Sequence, residues 1–436
     1  MKPIDRKIID EVFAEVGITD MEQATIRQCV RAADGLEQRT GTSFVHLEIG
    51  NPSIPASPIG IEAQKKALDD GVEAKYPNIA GTPLLKRTAS EFIKAFVNID
   101  IPAKCIVPTV GSMQGCYNTL LECSQLQSGR DTVLYIDPGF PAQHTQTDVL
   151  GIPRVGFDIY DYRGEKLRAK LESYLAKGNI CALLFSNPNN PSWVCLTEQE
   201  LQIVGELCTK YDVIAIEDMA YFCMDFRTDK GKPYVPPFQP TVQRYTSNCV
   251  TLISSSKMFS YAGERIGLVA INPKLYERNY PELMRRYHIS SYGLNFELTY
   301  LYTASSGTAH SPQYALAAMM QAAIDGKFNF VHVTEEYGRR AHLAKEIFER
   351  HGFQIVYTHD LDVPVADGFF FTATYPGMSS GELLLRLLQV GIVAIALETT
   401  GSRQRGLRIC IAMMSPESKF QDLDGRLGLF EQMLKQ

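Results

Sequence analysis

VTLISSSKMFSYAGERIG, Val250 to Gly267, begins as an apolar run, ends that run in hydroxyls and a lysine, and becomes apolar again after a glycine-bearing loop and an arginine. The run reads as a strand whose end carries Ser254, Ser256 and Lys257, with Arg265 following the loop. TVLYID (132–137), ICALLFSN (180–187), VIAIED (213–218) and GLVAIN (267–272) have the same character, and helix-length segments separate most of them between about Gly111 and Ala270. Strands apolar on both faces, with helices between them, argue for a mainly parallel sheet covered on both sides. Such sheets bind ligands outside the carboxyl ends of their strands, so the polar residues that end these runs are the candidate site.

Taken outward from that sheet, the chain has a helical pattern between Met21 and Leu36, a strand FVHLEIG, and a proline-rich passage (Pro52, Pro55, Pro58) suited to crossing between domains. After roughly Asn329 the pattern becomes a long helix, EEYGRRAHLAKEIFERHG, then strand-like GFFFTATY, a helix GELLLRLLQVG and RGLRICIA, as in a second, α+β domain. At 436 residues the chain exceeds the usual single core. Its 45% apolar and 21% charged residues are ordinary for a globular protein.

A formal charge of −6 provides no basic field for nucleic acid. The first residues interleave acids and bases with apolar side chains, unlike a signal peptide, and no run reaches transmembrane length. The cytoplasm is the expected location, with no membrane partner. Ten cysteines, from Cys29 to Cys410, form no CxxC pair or Cys/His cluster, so no metal is expected and the thiols read as buried small residues.

Four features stand at strand ends. VIAIED ends in Glu217 and Asp218, with Tyr221 three residues on; ICALLFSN runs into Asn189 and Asn190 between prolines; TVGSMQGCYN turns at Gly111 into a helix whose first amides lie at Ser112 and Met113; the fourth is Lys257 with its hydroxyls and Arg265. Alone, each has a plain reading, as a solvated strand-end acid, a tight turn, a helix start that binds nothing or a loop lysine, and for the turn and the lysine that reading is the better one. Together they match one cofactor. Pyridoxal phosphate needs a lysine for its aldehyde, an acid for its ring nitrogen, donors for its ring oxygen, and a phosphate cup.

At this point the sequence resembles the class I/II aminotransferases of the aspartate aminotransferase kind, fold-type I pyridoxal-phosphate enzymes, from about His46 to Met413. The most specific elements are Ser-x-x-Lys followed by Arg-x-Gly (Ser254, Lys257, Arg265, Gly267) and the ordered series Asn190, Asp218 with Tyr221, Lys257. The resemblance implies that Lys257 forms the Schiff base and moves the substrate proton, that Asp218 pairs with the pyridinium nitrogen, and that Asn190 and Tyr221 donate to the ring oxygen. It assigns the phosphate to Ser112, Met113, Ser254, Ser256 and Arg265. Phe140, in DPGFPAQHTQTDVLG, occupies the ring-stacking position, with a core aromatic as the alternative.

It further implies Gly50 in the substrate pocket, Arg408 on the α-carboxylate, and Tyr76 reaching the phosphate of a neighbouring subunit in a homodimer with shared active sites. One departure stands out: where many relatives have Asn-Pro-Thr-Gly, this chain has Asn190-Pro191-Ser192-Trp193, its only tryptophan. Trp193 marks either a substrate subgroup or a packing position.

The expected architecture is α/β, a mainly parallel central sheet with helices on both faces (pyridoxal-phosphate transferase fold type I) plus a smaller α+β domain. Residues 60–325 are expected to form the large cofactor-binding domain, and 1–59 with 326–436 the small one. The expected activity is transfer of an amino group from an amino acid to a 2-oxo acid. A pyridoxal-phosphate C–S lyase or other elimination enzyme is the alternative on the same fold, and a non-catalytic pyridoxal-phosphate-sensing regulator the alternative of another class.

Overall fold

The computed structural model describes residues 2–435. After a short strand β1 (Val45–His46), seven strands form one sheet: β2 (Ile106–Val110), β3 (Thr132–Asp137), β4 (Arg154–Asp158), β5 (Ile180–Ser186), β6 (Ile214–Met219), β7 (Cys249–Ser254) and β8 (Ile266–Ile271). Their order is β2-β8-β7-β6-β5-β3-β4. All pairings are parallel except those of β8, which runs antiparallel to both β2 and β7. The sheet is thus mixed and mainly parallel.

The two-residue alternation of a strand explains why these runs lack polar positions. Val133 and Tyr135 enter one core with Cys116 and Leu120 of the helix Gly111–Cys123, while Leu134 and Ile136 enter another with Leu167, Leu171 and Leu201 of the helices on the opposite face. Only the edge strand β4, which exposes Arg154 and Val155, departs from full burial among β3 to β8.

The register also aligns the strand ends. Ser186 stands opposite Asp218 in a parallel pair, and the start of β8 meets the ends of β2 and β7 in antiparallel ones, Val110 opposite Ile266 and Ser254 opposite Gly267, so the polar residues Ser186, Asp218 and Ser254 lie along one edge.

The chain from β6 to β7 is the exception to helical crossovers, and among the described residues its regular element is the single turn Val242–Arg244. Its prolines cannot donate, and instead the Tyr234 and Gln239 amides donate to the carbonyls of Ala95 and Phe96 at 2.7 and 2.9 Å, tying the segment to the end of the helix Pro83–Val97.

A second, antiparallel sheet follows, in the order β14-β15-β12-β9, from β9 (Gln354–Ile355), β12 (Phe370–Thr374), β14 (Ile395–Ala396) and β15 (Leu407–Cys410). A hairpin, β10 (His359–Asp360) with β11 (Val363–Pro364), lies between β9 and β12, and β13 (Ile392–Val393) pairs with β1 in parallel. The expected strand FVHLEIG is therefore only two residues long. Beyond it the Leu47 amide still donates to Val393 and its carbonyl still accepts from Cys410, each at 2.8–2.9 Å, so the backbone continues laced but irregular toward Gly50.

The helix expected from Met21 begins at Ile26, because Thr25 caps it reciprocally with Gln28. A preceding helix, Arg6–Val16, buries Ile9, Val12 and Phe13; its charged surface hid it in the sequence. The helix Phe330–Arg350 joins the two cores, with Phe330 among Phe92, Phe96 and Phe259 at one end and Phe348 against Phe353 and Phe371 at the other.

Trp193 is a packing residue. It is fully buried, adopts φ +59°, and sets its ring against Tyr221 at 5.2 Å and Phe370 at 6.2 Å. Its slot exists because residue 368 is glycine: a Cβ there would lie 1.9 Å from the indole. Gly368→Ala is expected to lower stability by about 1–3 kcal/mol, read as an earlier urea midpoint with unchanged slope. An unchanged midpoint would mean that the indole moves aside freely.

Candidate active site

At the aligned strand ends lies a cavity of about 790 Å3. Gly50, Ser112, Met113, Phe140, Asn190, Asp218, Tyr221, Ser254, Ser256, Lys257, Arg265 and Arg408 all line it. Tyr76 does not; it is 90% exposed, away from the cavity.

Lys257 follows β7 in a single helical turn, Ser255–Met258, whose N-cap is Ser254; the Ser254 hydroxyl accepts from the Ser256 amide at 3.2 Å. The Lys257 ammonium donates to the Gly50 carbonyl and lies 5.1 Å from the centre of the Phe369 ring. Burial pushes its pKa down to about 8; the Cys410 thiol opposes the shift, while the Arg408 and Arg265 guanidinium groups add to it.

Asp218 is buried at the end of β6. Its carboxylate accepts from Gln143 Nε2 at 2.8 Å and from the Ala220 amide at 3.1 Å. Both donors are neutral, and among the described residues it has no salt bridge. Burial therefore raises its pKa to about 6 against the pull of these two donors.

Beside it, Asn190 Nδ2 donates to the Tyr221 hydroxyl at 3.3 Å, leaving the phenol proton for another acceptor, while Asn190 Oδ1 is buried without a partner. Burial also pushes the Tyr221 pKa up.

The opposite wall suits an anion. The helix Gly111–Cys123 has no side-chain cap; its Gly111 amide donates to the Arg265 carbonyl at 2.9 Å, and the next residues, Ser112 and Met113, lie at the cavity. Glycine is required on both sides of this wall. A Cβ on Gly111 (φ +65°) would lie 2.5 Å from Arg265 Nη2, and one on Gly267 would lie 2.7 Å from the Ser112 amide nitrogen. Arg265 itself sits at φ +51°, its Nη1 donating to the Ala262 carbonyl at 2.8 Å.

Arg408, from β15, is 2% exposed. It donates to the Glu48 carbonyl and lies 4.9 Å from the Phe370 ring centre, and its Nε is buried without a partner. Among the described residues it has no salt bridge to a carboxylate, the group whose two oxygens match a guanidinium's paired donors.

Sequence reasoning missed Gln143 and Gln146. Both lie on the helix Pro141–Leu150, directly after Phe140; Gln146 donates to the Met113 carbonyl at 2.8 Å. The readable signal was two amides three residues apart within the segment already singled out for Phe140. Thr25, Ile26 and Arg27, which also line the cavity, gave no such signal. Among the described residues no cluster of His, Cys, Asp or Glu fits a metal ion, and the ten cysteines are buried and free.

A family profile described as Aminotransferase class I and II matches residues 42–419. Among curated proteins, the chain is 26% identical over 231 residues to a probable aspartate aminotransferase of Methanocaldococcus jannaschii, covering 53% of this chain and 58% of that protein. It is 25% identical over 254 residues to the aspartate aminotransferase of Pyrococcus horikoshii, covering 57% and 60%. The matched part thus spans less than two thirds of these relatives' own length. In fold, the chain resembles the Thermus thermophilus aspartate aminotransferase solved with maleate, with a TM-score of 0.74 at 18% identity over 99% of this chain and 100% of that one.

The buried Asp218 carboxylate has a consequence for stability. Because its folded pKa is raised, its ionised form costs the fold about 3 kcal/mol above pH 6. That cost fades as the pH falls through 6 and is nearly gone by pH 4, where the folded group is protonated and the unfolded one is beginning to be. Cofactor-free Asp218→Asn is therefore expected to unfold at higher urea than the parent at pH 7.5, and at the same urea at pH 4. A variant less stable at pH 7.5 would mean that the carboxylate has a compensating cation.

Proposed function

This chain belongs to the class I and II aminotransferases, and from that premise we propose that it moves an amino group from an amino acid to a 2-oxo acid with pyridoxal phosphate as its resident cofactor. The observation that carries this reading is the Asp218 carboxylate, buried with neutral donors alone, in one cavity with a near-neutral lysine. A protonated ring nitrogen is the partner such a carboxylate lacks. The Tyr221 phenol and the second hydrogen of Asn190 Nδ2 suit a ring oxygen, Phe140 a ring face, and Ser112, Met113, Ser254, Ser256 and Arg265 a phosphate.

When bound, pyridoxal phosphate supplies an aldehyde that captures amines and a ring that accepts the electron pair left at the substrate Cα. Lys257 Nζ would hold the aldehyde and, as a free amine, would take the proton from the substrate Cα. Its lowered pKa keeps a usable fraction as free amine near neutral pH. Arg408 fixes the α-carboxylate with its two-pronged guanidinium, orienting the Cα–H bond. Asp218 would hold a protonated ring nitrogen, and Tyr221 with Asn190 would donate to the ring oxygen.

Residues 60–325 serve in this reading as the cofactor-binding domain, with 1–59 and 326–436 as the smaller one. The working unit is a homodimer in which Tyr76, exposed in the single chain, reaches the partner's phosphate; the setting is the cytoplasm. Among the described residues no helix is long and apolar enough to cross a membrane. The two helices before β1 pack with Leu388, Val393 and Ile395, which leaves them as part of a core and not a separate binding module.

The test is the visible absorption of the purified protein with pyridoxal phosphate, before and after a panel of amino acids, with Lys257→Ala alongside. The lysine-bound band is expected in the parent and absent from the variant, whose turnover falls by roughly a thousandfold or more. No band in the parent at saturating cofactor would refute the reading.

A further inference from the structure

Four cationic side chains line the cavity, Arg27, Lys257, Arg265 and Arg408, against one acid, Asp218. On the reading above, Lys257 takes the aldehyde, Arg265 the phosphate and Arg408 the α-carboxylate. Arg27 is left over. It is exposed, and among the described residues it has neither a hydrogen bond nor a salt bridge.

A solvated surface arginine is the ordinary explanation, and the local sequence does not support it. Arg27 is the second residue of the helix Ile26–Thr40, whose start carries the positive pole of the helix, so a cation there is electrostatically disfavoured. The positions three and four residues away, which normally neutralise a helical arginine, hold Gln23, Ala24, Val30 and Arg31, none acidic. The helix turns Cys29, Ala32, Ala33 and Leu36 into a core with Val393 and Ile395, which fixes its start, with Thr25 and Ile26, on the cavity.

We propose that Arg27 receives the side-chain carboxylate of the substrate, so that this site takes acidic amino acids and the matching dicarboxylic 2-oxo acids. The proposal rests on the aminotransferase reading. The chemistry is that of Arg408 at the other end of the substrate: a guanidinium with free donors pairs a carboxylate in two parallel hydrogen bonds. Two anionic ends then face two separate arginines, with the reacting Cα beside Lys257.

The test follows the spectral change of the cofactor-loaded protein with aspartate, glutamate, alanine, leucine and phenylalanine, in the parent, Arg27→Gln and Arg27→Lys. Succinate binding is measured calorimetrically in the same three proteins. In Arg27→Gln, kcat/KM is expected to fall roughly ten- to hundredfold further for the acidic amino acids than for the neutral ones. Arg27→Lys recovers part of that loss, and succinate affinity follows the same order.

Equal losses on acidic and neutral substrates, or a parent that prefers neutral amino acids, would overturn the proposal. If the parent converts none of the five, the aminotransferase reading falls instead, and succinate decides the rest. Weaker succinate binding in Arg27→Gln keeps Arg27 as a dicarboxylate receptor, and unchanged binding removes it.

Discussion

A carboxylate buried at the end of β6, with no salt bridge among the described residues, is the constraint around which this molecule is arranged. Burial disfavours its charge, and two neutral N–H donors only partly offset that cost. Holding even those donors in place takes several further contacts. The Gln143 carbonyl accepts from the Tyr135 hydroxyl at 2.8 Å, and the next residue, His144, pairs with Asp137 at 2.9 Å. Both partners come from β3, so the helix that carries Phe140, Gln143 and Gln146 is fastened to the sheet behind it. The adjacent acid shows what the strand's alternation decides. Glu217 faces the other side, accepts from the Thr241 hydroxyl at 2.6 Å, and is pushed by burial up to about 8, which leaves it largely neutral near pH 7.

The two cores are joined on either side of that acid. On one side the irregular chain after β1 brings the Gly50 carbonyl to the Lys257 ammonium and the Glu48 carbonyl to Arg408. On the other, Asp360 of β10 accepts from Arg163, Arg227 and the Cys195 amide at 2.6, 2.8 and 3.1 Å, beside the slot that Gly368 opens for Trp193. Buried guanidinium–carboxylate contacts of this kind are strongly destabilising to break, so the loop from Asn189 to Leu196 is held from both cores. Asn190 lies within that loop.

What the sequence made legible follows from where its physics is local. Strands buried on both faces declare themselves as unbroken apolar runs, and their polar ends therefore mark the edge where Asp218, Asn190 and Lys257 meet. Arg408 stood out as a charge inside an apolar strand. Gln143 did not, because its function lies in a contact with a residue 75 positions away and glutamine carries no local signature. Trp193 stayed ambiguous for a similar reason: its meaning depends on Gly368, whose missing Cβ is visible only once the two segments are packed. Arg27 was hidden because its helix appears in the sequence as an ordinary amphipathic element, and only the fold sets its first turn against the cavity.

The cavity's charge balance explains why such an arrangement persists. Lys257 and Arg408 are held near each other, each lacking a carboxylate partner, and the lowered pKa of both reflects burial together with neighbouring positive charge in the case of Lys257. A core optimised for stability alone would pair or remove these groups, as it would the Asp218 carboxylate. In the proposed reading each is completed by a ligand of opposite charge: phosphate and carboxylates against the cations, a protonated ring nitrogen against the acid. Ligands that bind only the folded chain return that stability on binding. In that reading the cost of burying these unpaired charges and the binding of anionic ligands have one physical source.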